Sequence, residues 1–339
     1  MTIKTGIIGC GVVGKKRKKY IIENPNFELS AISDISYKKN FLIRGGIKYY
    51  KNYQDVFDND LDAIFICMPN YLAKDITISA LKRNIHVFCE KPPSRNHSEL
   101  LEVKKFYEKK NRLKLKYGFN HRYHDSVLKA RDIIRDKKYG KVVNIRGVYG
   151  KSKIVTMSKG WRSKRKFAGG GILLDQGIHM LDMINLFIGD IVEVKSMISN
   201  SFWNKNVEDN AFALLKSKHN QIVSIHSSAT QWQHRFNLEI TLENGLLVFS
   251  GILSGSKSYG KERLIFIPRS NSNSGSKNKK RFTFSQEDLS WKKEVDEFAN
   301  CIYNDKKVIN GTLDESLRVM KLIEEIYSDD SEWYNKYVK

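Results

Sequence analysis

The sequence contains few cysteines and prolines and has no long apolar run. Its four cysteines, Cys10, Cys67, Cys89 and Cys301, form no CxxC pair, so neither a disulfide framework nor a zinc site is expected. Five prolines among 339 residues, without a Gly-X-Y repeat, exclude a collagen-like chain. No run approaches the ~18 apolar residues that a membrane span needs, and the N terminus does not resemble a signal peptide. We therefore expect a soluble, cytoplasmic protein with no membrane partner.

Basic residues greatly outnumber acidic ones. The chain has 59 Lys and Arg against 37 Asp and Glu, a formal net charge of +22. Such a charge suggests nucleic acid or an anionic small substrate, although lysine is spread over the whole chain, as in a general compositional bias. The run 15–19, KKRKK, falls on a predicted helix and is expected to be a solvated face. We therefore predict no nucleic-acid partner.

The first third of the chain alternates short apolar runs with segments of helical spacing. Strands are predicted at 3–8, 27–33, 62–67, 85–89 and 113–119, and helices lie between them, for example to about residue 22 and over 74–83. Strands that alternate with helices of this length predict βαβ units and a parallel sheet.

The pattern changes after Tyr123. Helices are predicted at 126–136 and 171–187, with strands at 142–148, 192–198, 211–215, 222–227, 236–242 and 246–250. The turn Glu243-Asn244-Gly245 predicts a hairpin, the Ser/Asn/Lys-rich stretch 270–280 a loop, and two helices, 286–303 and 313–327, close the chain. We predict an α/β protein with two domains: a dinucleotide-binding domain over 1–120, and an α+β domain over 121–339 for substrate binding and oligomerisation.

A glycine turn follows the first predicted strand. Gly9-Cys10-Gly11-Val12-Val13-Gly14 is a GxGxxG motif between a strand and a helix. Gly9 permits the turn, Gly11 lets the backbone approach a pyrophosphate, and Gly14 allows close packing of helix and strand. Asp34 ends the second strand, where a carboxylate binds the ribose hydroxyls of NAD and repels a 2′-phosphate. Lys38 and Lys39 follow and could weaken this preference, but we expect NAD rather than NADP.

Lys91 follows the fourth predicted strand, within Cys89-Glu90-Lys91-Pro92. Ligands of open α/β sheets bind at the carboxyl ends of the strands. A lysine there can hydrogen-bond a substrate hydroxyl and stabilise a developing alkoxide. The alternative is a surface lysine before a loop. Pro92 is a candidate for a cis peptide bond.

A carboxylate and an imidazole lie four positions apart after three glycines. In Gly169-Gly170-Gly171 … Asp175 … His179, helical spacing predicts that Asp175 and His179 share one face. A carboxylate can orient an imidazole for acid–base catalysis. The alternative is a helix with a satisfied core histidine. Asp182 is expected to be a structural partner.

Two further segments carry candidate ligands. The segment 121–125, HRYHD, has two histidines without a matched third ligand, so we predict no metal and expect it to line a substrate cleft. Trp161, Arg162 and Arg165 could hold a sugar face and an anionic group, or lie on the surface.

Together these residues resemble the glucose–fructose oxidoreductase, inositol dehydrogenase and rhizopine catabolism family of NAD(P)-dependent sugar oxidoreductases. The resemblance covers nearly the whole chain; its motifs are the glycine turn with Asp34, Met68-Pro69-Asn70, Glu90-Lys91-Pro92, the segment 171–182 and the two closing helices. It implies an N-terminal Rossmann domain and a C-terminal α+β domain with a large, mostly antiparallel open sheet. That sheet often mediates oligomers, so we expect a homodimer or homotetramer. Pro93 and the basic segment 162–166 depart from the family pattern and leave the substrate open.

The resemblance also implies roles for individual residues. Lys91, Asp175 and His179 take the places of the catalytic residues. The cofactor-binding set implied is Gly9, Gly11, Val12, Val13, Gly14, Asp34, Pro69, Asn70, Glu90 and Lys91. The substrate-binding set implied is Lys91, Asn120, Arg122, Tyr123, Trp161, Arg162, Asp175 and His179.

The expected reaction is reversible hydride transfer between nicotinamide and a sugar carbon that carries a secondary hydroxyl. The positive charge favours an anionic sugar, for example one linked to a nucleoside diphosphate. An inositol or free-aldose dehydrogenase and an NAD-assisted glycosidase remain alternatives, and a cofactor-sensing or nucleic-acid-binding protein is a further one.

Overall fold

A computed structural model describes residues 2–38, 41–110, 112–151, 160–254, 258–270, 279–284 and 287–339. Its elements up to residue 120 are β1 (Ile3–Ile8), α1 (Val12–Glu23), β2 (Phe27–Ser33), β3 (Phe41–Arg44), β4 (Ile47–Tyr50), a 3₁₀ helix (Tyr53–Asp58), β5 (Ala63–Ile66), α2 (Asn70–Lys82), β6 (His86–Glu90), α3 (His97–Tyr107) and β7 (Leu115–Gly118).

The next elements are a 3₁₀ helix (Asn120–Tyr123), α4 (Asp125–Arg135), β8 (Val142–Gly150), a 3₁₀ helix (Trp161–Ser163), α5 (Arg165–Ala168), a π-helical turn (Leu173–Gly177), α6 (Ile178–Ile188), β9 (Ile191–Ser199), β10 (Asn210–Ser217) and β11 (Ile222–Ser228). The chain continues through β12 (Arg235–Leu242), β13 (Gly245–Ser250), β14 (Glu262–Pro268), β15 (Lys280–Phe284), α7 (Ser290–Tyr303), α8 (Leu313–Asp329), α9 (Ser331–Trp333) and a final π-helical turn (Tyr334–Val338).

The first of two compact units combines Met1–Asn120 with Trp291–Leu317. Its seven strands run in the order β3-β4-β2-β1-β5-β6-β7 and pair in parallel, except for the antiparallel β3–β4 pair. The predicted Rossmann-type parallel sheet is therefore confirmed. The assignment of Trp291–Leu317 to this unit differs from the division expected from the sequence, in which all residues after 120 form the second domain.

Aromatic packing explains why α7 belongs to this unit. The buried ring of Phe298 lies edge-on to Phe65, with ring centroids 5.5 Å apart, and edge-on to Phe88 at 5.6 Å. The same cluster contains Phe27, whose ring is 5.6 Å from that of Phe65. Helix α7 thus packs against residues of β2, β5 and β6.

The second unit contains His121–Ser290 and Arg318–Lys339. Its eight-stranded sheet has the order β15-β14-β13-β12-β8-β11-β10-β9, and every pair is antiparallel except β8–β11. Buried and more exposed residues alternate along β10 and β12, as expected for an antiparallel sheet with one packed face and one solvated face. The predicted hairpin turn at Glu243-Asn244-Gly245 joins β12 to β13. The mostly antiparallel sheet is confirmed.

Four strands were not predicted: β3, β4, β14 and β15. The first pair forms an exposed antiparallel hairpin, and its residues Phe41–Arg44 are all solvent-exposed and lack an alternating pattern. The second pair flanks the predicted loop at 270–280, most of which lies outside the described residues. The predicted helix over 171–187 begins instead with the π-helical turn Leu173–Gly177.

The segment Arg165–Ile188 is long and apolar enough, by length and composition alone, to cross a membrane. However, 72% of its most apolar 18-residue stretch is buried inside the protein. That burial is typical of a core helix, and the sequence showed no uninterrupted apolar run there because Asp175, Gln176 and His179 divide it.

Candidate functional site

The glycine turn between β1 and α1 is closely packed on one side and open on the other. A Cβ atom at Gly14 would lie 2.0 Å from the carbonyl oxygen of Gly9, and one at Gly9 would lie 2.5 Å from that of Cys67. Gly9 also has a φ of +88°, which favours glycine. At Gly11 a Cβ would meet nothing within 4 Å, so the backbone there is open to a ligand. Next to it, Val12 is exposed at the first position of α1.

Asp34 ties the end of β2 to this turn. Its Oδ2 accepts a hydrogen bond from the Cys10 amide at 2.8 Å, and its Oδ1 accepts from the amide and hydroxyl of Ser36. Partial burial raises the pKa of Asp34, but the hydrogen bonds from Ser36 and Cys10 outweigh it and hold the pKa below its usual value. An ionised carboxylate retains further acceptor positions. The turn and Asp34 therefore fit the pyrophosphate and ribose of a dinucleotide.

Glu90 lies at the end of β6 and is held by a buried guanidinium. Nε of Arg17 donates to Glu90 Oε1 at 2.6 Å, and Nη2 donates to Glu294 on α7 at 2.5 Å. The Arg17 guanidinium also lies 4.4 Å from the ring centroids of Phe88 and Trp291. Glu90 is predicted to contact the cofactor, and its ion pair with Arg17 also fixes the strand end before Lys91.

Lys91 is half-buried, and its peptide bond to Pro92 is cis, as predicted. The other predicted cofactor residues of this edge lie after β5, where Pro69 precedes α2 and Asn70 is its buried first residue. Because β5 and β6 are parallel neighbours, Asn70 and Lys91 both follow carboxyl ends of adjacent strands. The first unit thus brings these residues to the sheet edge at which ligands bind.

Asp175 and His179 lie in the second unit, on either side of the junction between the π-helical turn and α6. Asp175 is half-buried and accepts hydrogen bonds from Lys151 Nζ at 3.2 Å and from Gln176 Nε2 at 3.0 Å. His179 is 4% exposed. Lys151 was not predicted, because it is distant from Asp175 in the sequence and nothing local marks it.

His179 stacks on a second imidazole that was not predicted as a site residue. The rings of His121 and His179 are 3.7 Å apart, with an angle of 16° between their planes. The stretch 121–125 was expected to line a cleft, and the described residues contain no group of three or more His, Cys, Asp or Glu able to hold a metal.

Arg122 and Asp182 form a buried ion pair. Nε of Arg122 donates to Asp182 Oδ2 at 2.7 Å, and Nη2 donates to Oδ1 at 2.5 Å. Arg122 is 2% exposed and Asp182 is fully buried. Arg122 is predicted to bind substrate; in the structure its guanidinium pairs with Asp182, which was expected to be a structural partner. Asn120 and Tyr123 are also buried, in the first and second unit respectively.

Trp161 and Arg162 form a half-exposed pair before α5. The guanidinium carbon of Arg162 lies 4.4 Å from the ring centroid of Trp161. Such a cation–π contact offers both an aromatic face and a positive charge to a ligand. Both side chains are partly exposed to solvent, as the predicted role in substrate binding requires.

Glu208 is a buried carboxylate that sequence reasoning missed. Its Oε1 accepts from the amides of Gly171 and Leu173 and from the Tyr327 hydroxyl at 2.7 Å. Burial raises its pKa, and Arg165 and Tyr327 only partly oppose this. A Cβ at Gly171 would lie 2.1 Å from the Glu208 carbonyl oxygen, which explains the glycine. Glu208 therefore fixes the backbone that leads to Asp175.

The remaining charged and thiol groups have structural surroundings. In the run 15–19, Arg17 is buried, and the ammonium groups of Lys16 and Lys18 lie over the rings of Trp291 and Tyr49. All four cysteines are free thiols, as expected. Burial raises the pKa of the Cys89 thiol to about 12, which makes it unreactive.

The parallel sheet and the glycine turn define a Rossmann-type dinucleotide-binding domain. Residues 3–119 match the family model described as an oxidoreductase family with an NAD-binding Rossmann fold, and residues 127–248 match that of the GFO/IDH/MocA C-terminal domain. The chain therefore belongs to the GFO/IDH/MocA family, which confirms the resemblance and the expectation of an NAD(P)-dependent enzyme.

The chain is moderately similar in sequence to several curated proteins. An uncharacterised oxidoreductase of Bacillus subtilis is 29% identical over 67% of this chain and 67% of the relative. Glucose-6-phosphate 3-dehydrogenase of the same organism is 28% identical over 56% of this chain and 55% of the relative. Myo-inositol 2-dehydrogenase of Thermotoga maritima is 27% identical over 56% of each. For the latter two, the match spans little more than half of the relative's length.

Solved structures share the fold along nearly the whole chain. A levoglucosan dehydrogenase in complex with NADH has a TM-score of 0.83 at 17% identity and covers 98% of both chains. A 3-ketoreductase from Actinomadura kijaniata, in complex with TDP-benzene and NADP, has a TM-score of 0.80 at 18% identity and covers 97% of this chain and 98% of that one. These structures hold either cofactor, so they do not distinguish NAD from NADP for this chain.

Proposed function

We propose that this protein is an NAD-dependent dehydrogenase or reductase that acts on a secondary hydroxyl or ketone of a sugar. The observation that carries the proposal is the buried imidazole of His179, which follows the turn that contains Asp175. Glu208 fixes the start of that turn by accepting hydrogen bonds from the amides of Gly171 and Leu173. An imidazole titrates near neutral pH and suits proton transfer to and from a hydroxyl. Relatives named as glucose-6-phosphate, levoglucosan and inositol dehydrogenases support a polyhydroxylated substrate.

NAD is preferred over NADP because Asp34 is ionised at the end of β2. The low pKa of this carboxylate keeps it charged at neutral pH, so it repels a 2′-phosphate while it accepts from ribose hydroxyls. We expect Asp34→Ser to weaken NAD binding and to narrow the difference in affinity between NADH and NADPH. Fluorescence titration with both cofactors measures this. An unchanged preference would contradict the assignment.

The catalytic roles follow from the chemistry of the side chains. When bound, NAD supplies the hydride acceptor. His179 removes the hydroxyl proton, Asp175 orients His179, and Lys91 stabilises the negative charge that develops on the oxygen. In the reverse direction His179 returns the proton. Lys151 balances the charge of Asp175.

The substrate we favour carries an anionic group, as a nucleotide-linked sugar does. Support comes from the net charge of +22, from the half-exposed Trp161–Arg162 pair, and from the relatives named as glucose-6-phosphate 3-dehydrogenase and UDP-kanosamine synthase subunit. A cyclitol or a free aldose is the alternative. Because exposed charges are screened by salt, KM for an anionic sugar is expected to rise with ionic strength.

The test incubates the enzyme and NAD with a panel of free sugars, cyclitols, sugar phosphates and nucleotide sugars. NADH formation is monitored by its absorbance. We expect NADH to accumulate with at least one anionic sugar, and KM to rise with salt for that substrate. Activity only on neutral cyclitols or aldoses would select the alternative. Glycoside cleavage without net NADH would show a glycosidase and refute the proposed reaction.

We further propose a homodimer or homotetramer through the second sheet, in the cytoplasm. The outer face of β9 and β10 exposes large apolar side chains: Met197 is 77% exposed and Leu214 is 57% exposed. Exposed apolar patches of this kind mark protein interfaces. Leu214→Lys is expected to shift the mass measured by light scattering to that of the monomer, whereas an unchanged oligomer would exclude this face. The free thiols support the reducing compartment.

A further inference from the structure

Two imidazole rings lie face to face in the second unit. The centroid of His121 is 3.7 Å from that of His179, with 16° between the planes, and both residues are at least nine-tenths buried. At this distance and angle the two rings are stacked in van der Waals contact. His121 comes from the 3₁₀ helix Asn120–Tyr123 and His179 from α6, so the contact joins two elements.

Neighbouring elements fix the ring of His121. Its Nε2 lies 3.1 Å from the hydroxyl of Tyr149 on β8, a residue that is 4% exposed. The ring of Phe236 on β12 lies 6.0 Å away, at 63°, and that of His124 lies 5.4 Å away, at 74°. The charge nearest to His124 is Glu262, whose carboxylate is 2.7 Å from His124 Nδ1. The position of His121 is therefore set by packing on several sides, before any substrate binds.

The stacked geometry has a chemical consequence for His179. Stacked rings point their nitrogens sideways, so the two imidazoles do not pass a proton to each other through the stack. A neutral aromatic face stabilises a cation above it. Two adjacent cations would repel each other, so the pair accommodates one positive charge.

We propose that His121 is a positioning residue that holds the ring of His179 and stabilises it, through its aromatic face, when His179 takes the substrate proton. This inference rests on the proposed function. The proton that leaves the substrate hydroxyl is held by His179 alone, and His121 keeps the same number of protons throughout. His121 is thus not a catalytic residue.

Two substitutions of His121 separate the effect of its aromatic ring from the effect of its polar contact with Tyr149. His121→Phe keeps an aromatic face against His179 but loses the contact with Tyr149, and His121→Gln keeps a polar group but loses the ring. We expect His121→Gln to lower kcat about 10-fold, which corresponds to about 1.4 kcal/mol, with little change in KM for the sugar. We expect His121→Phe to retain kcat within about 3-fold of the wild type.

The matched control is another stacked histidine in the same unit. His226 stacks on Phe212 with centroids 3.8 Å apart and 13° between the planes. His226→Gln removes the same kind of contact outside the proposed catalytic site but beside the β9–β10 face, so its kcat is compared at equal oligomer mass and is expected to stay unchanged. A general effect of losing a stacked histidine on folding would lower kcat in this variant too, and would overturn the inference.

A second measurement does not depend on turnover. In proton NMR spectra of the substrate-free protein, the ring protons of His179 are expected to be shifted upfield by the aromatic face of His121. His121→Phe keeps this shift and His121→Gln removes it. An unshifted His179 in the wild type would overturn the inference even if both variants folded poorly.

The outcomes distinguish this inference from the proposed function. If His179→Ala retains wild-type turnover, the proposed catalytic role of His179 fails. If His179→Ala is inactive while His121→Gln matches the wild type, or if His121→Phe is the slower of the two His121 variants, only the role of His121 fails.

Discussion

At the scale of single residues, two carboxylates share one guanidinium in the first unit. Arg17 is fully buried between Glu90 and Glu294. Burial raises the pKa of Glu294 to about 7, and the charges of Arg17 and Lys116 only partly oppose this, while Glu90 adds to it. Glu294 therefore keeps its proton in the folded protein at pH values where an exposed glutamate has lost it.

This arrangement predicts a stability that depends on pH. Because the folded-state pKa of Glu294 lies above the ordinary value of 4.5, its contribution is complete below about pH 4.5 and is lost as the pH rises through about 7. Glu294→Gln removes this dependence. We expect the stability of this variant relative to wild type to increase between about pH 5 and about pH 8.

Urea unfolding at the two pH values measures the effect. The control is Glu324→Gln, which replaces a glutamate at an exposed position of α8 and is compared with wild type at the same two pH values. A parallel response of wild type and Glu294→Gln would contradict the protonated state of Glu294.

At the scale of elements, two glycines of the turn between β1 and α1 are required for different reasons. Gly14 is needed for packing, because a Cβ there would lie 2.0 Å from a backbone oxygen, whereas Gly11 faces open space. We expect Gly14→Ala to lower both the thermal midpoint and the affinity for NADH. Gly11→Ala is expected to keep the thermal midpoint and to weaken NADH binding only.

Scanning calorimetry and NADH fluorescence titration check this pair of variants. Equal thermal midpoints for both variants would contradict the packing role of Gly14. Unchanged NADH affinity in Gly11→Ala would contradict the proposed approach of the pyrophosphate to this backbone.

The sequence predicted elements that have a local signal. The strand at residues 3–8, the glycine turn and the Glu243–Gly245 hairpin each carry their own pattern, and each was found. The exposed strand β3 lacks alternation, so it was missed. Glu208 and the stack of His121 on His179 depend on residues far apart in the chain, and no local pattern marks them. The burial of Arg122 against Asp182 is likewise a long-range contact that no local pattern marks.

At the scale of the whole molecule, the chain returns to its first unit after completing the second sheet. Phe298 on α7 is fully buried against the rings of Phe65 and Phe88. Tyr303, in the same helix, is 53% exposed. Helix α7 is therefore part of the core of the first unit.

Two substitutions in α7 test this dependence. Phe298→Ala is expected to lower the free energy of unfolding by about 3–5 kcal/mol, because it leaves a cavity among the aromatic rings. Tyr303→Ala is expected to change it by less than about 0.5 kcal/mol. Equal losses in guanidinium unfolding experiments would contradict the inclusion of α7 in the first unit.

The most direct test of the proposed reaction is the turnover of Lys91→Ala and His179→Ala with a sugar identified by the substrate panel, measured together with their affinity for NADH. Lys109→Ala and His219→Ala, both at exposed positions, are the controls. We expect kcat to fall about 10²-fold or more in the two site variants, while NADH affinity and the kcat of both controls stay at wild-type values. Wild-type kcat in His179→Ala would contradict the proposed reaction.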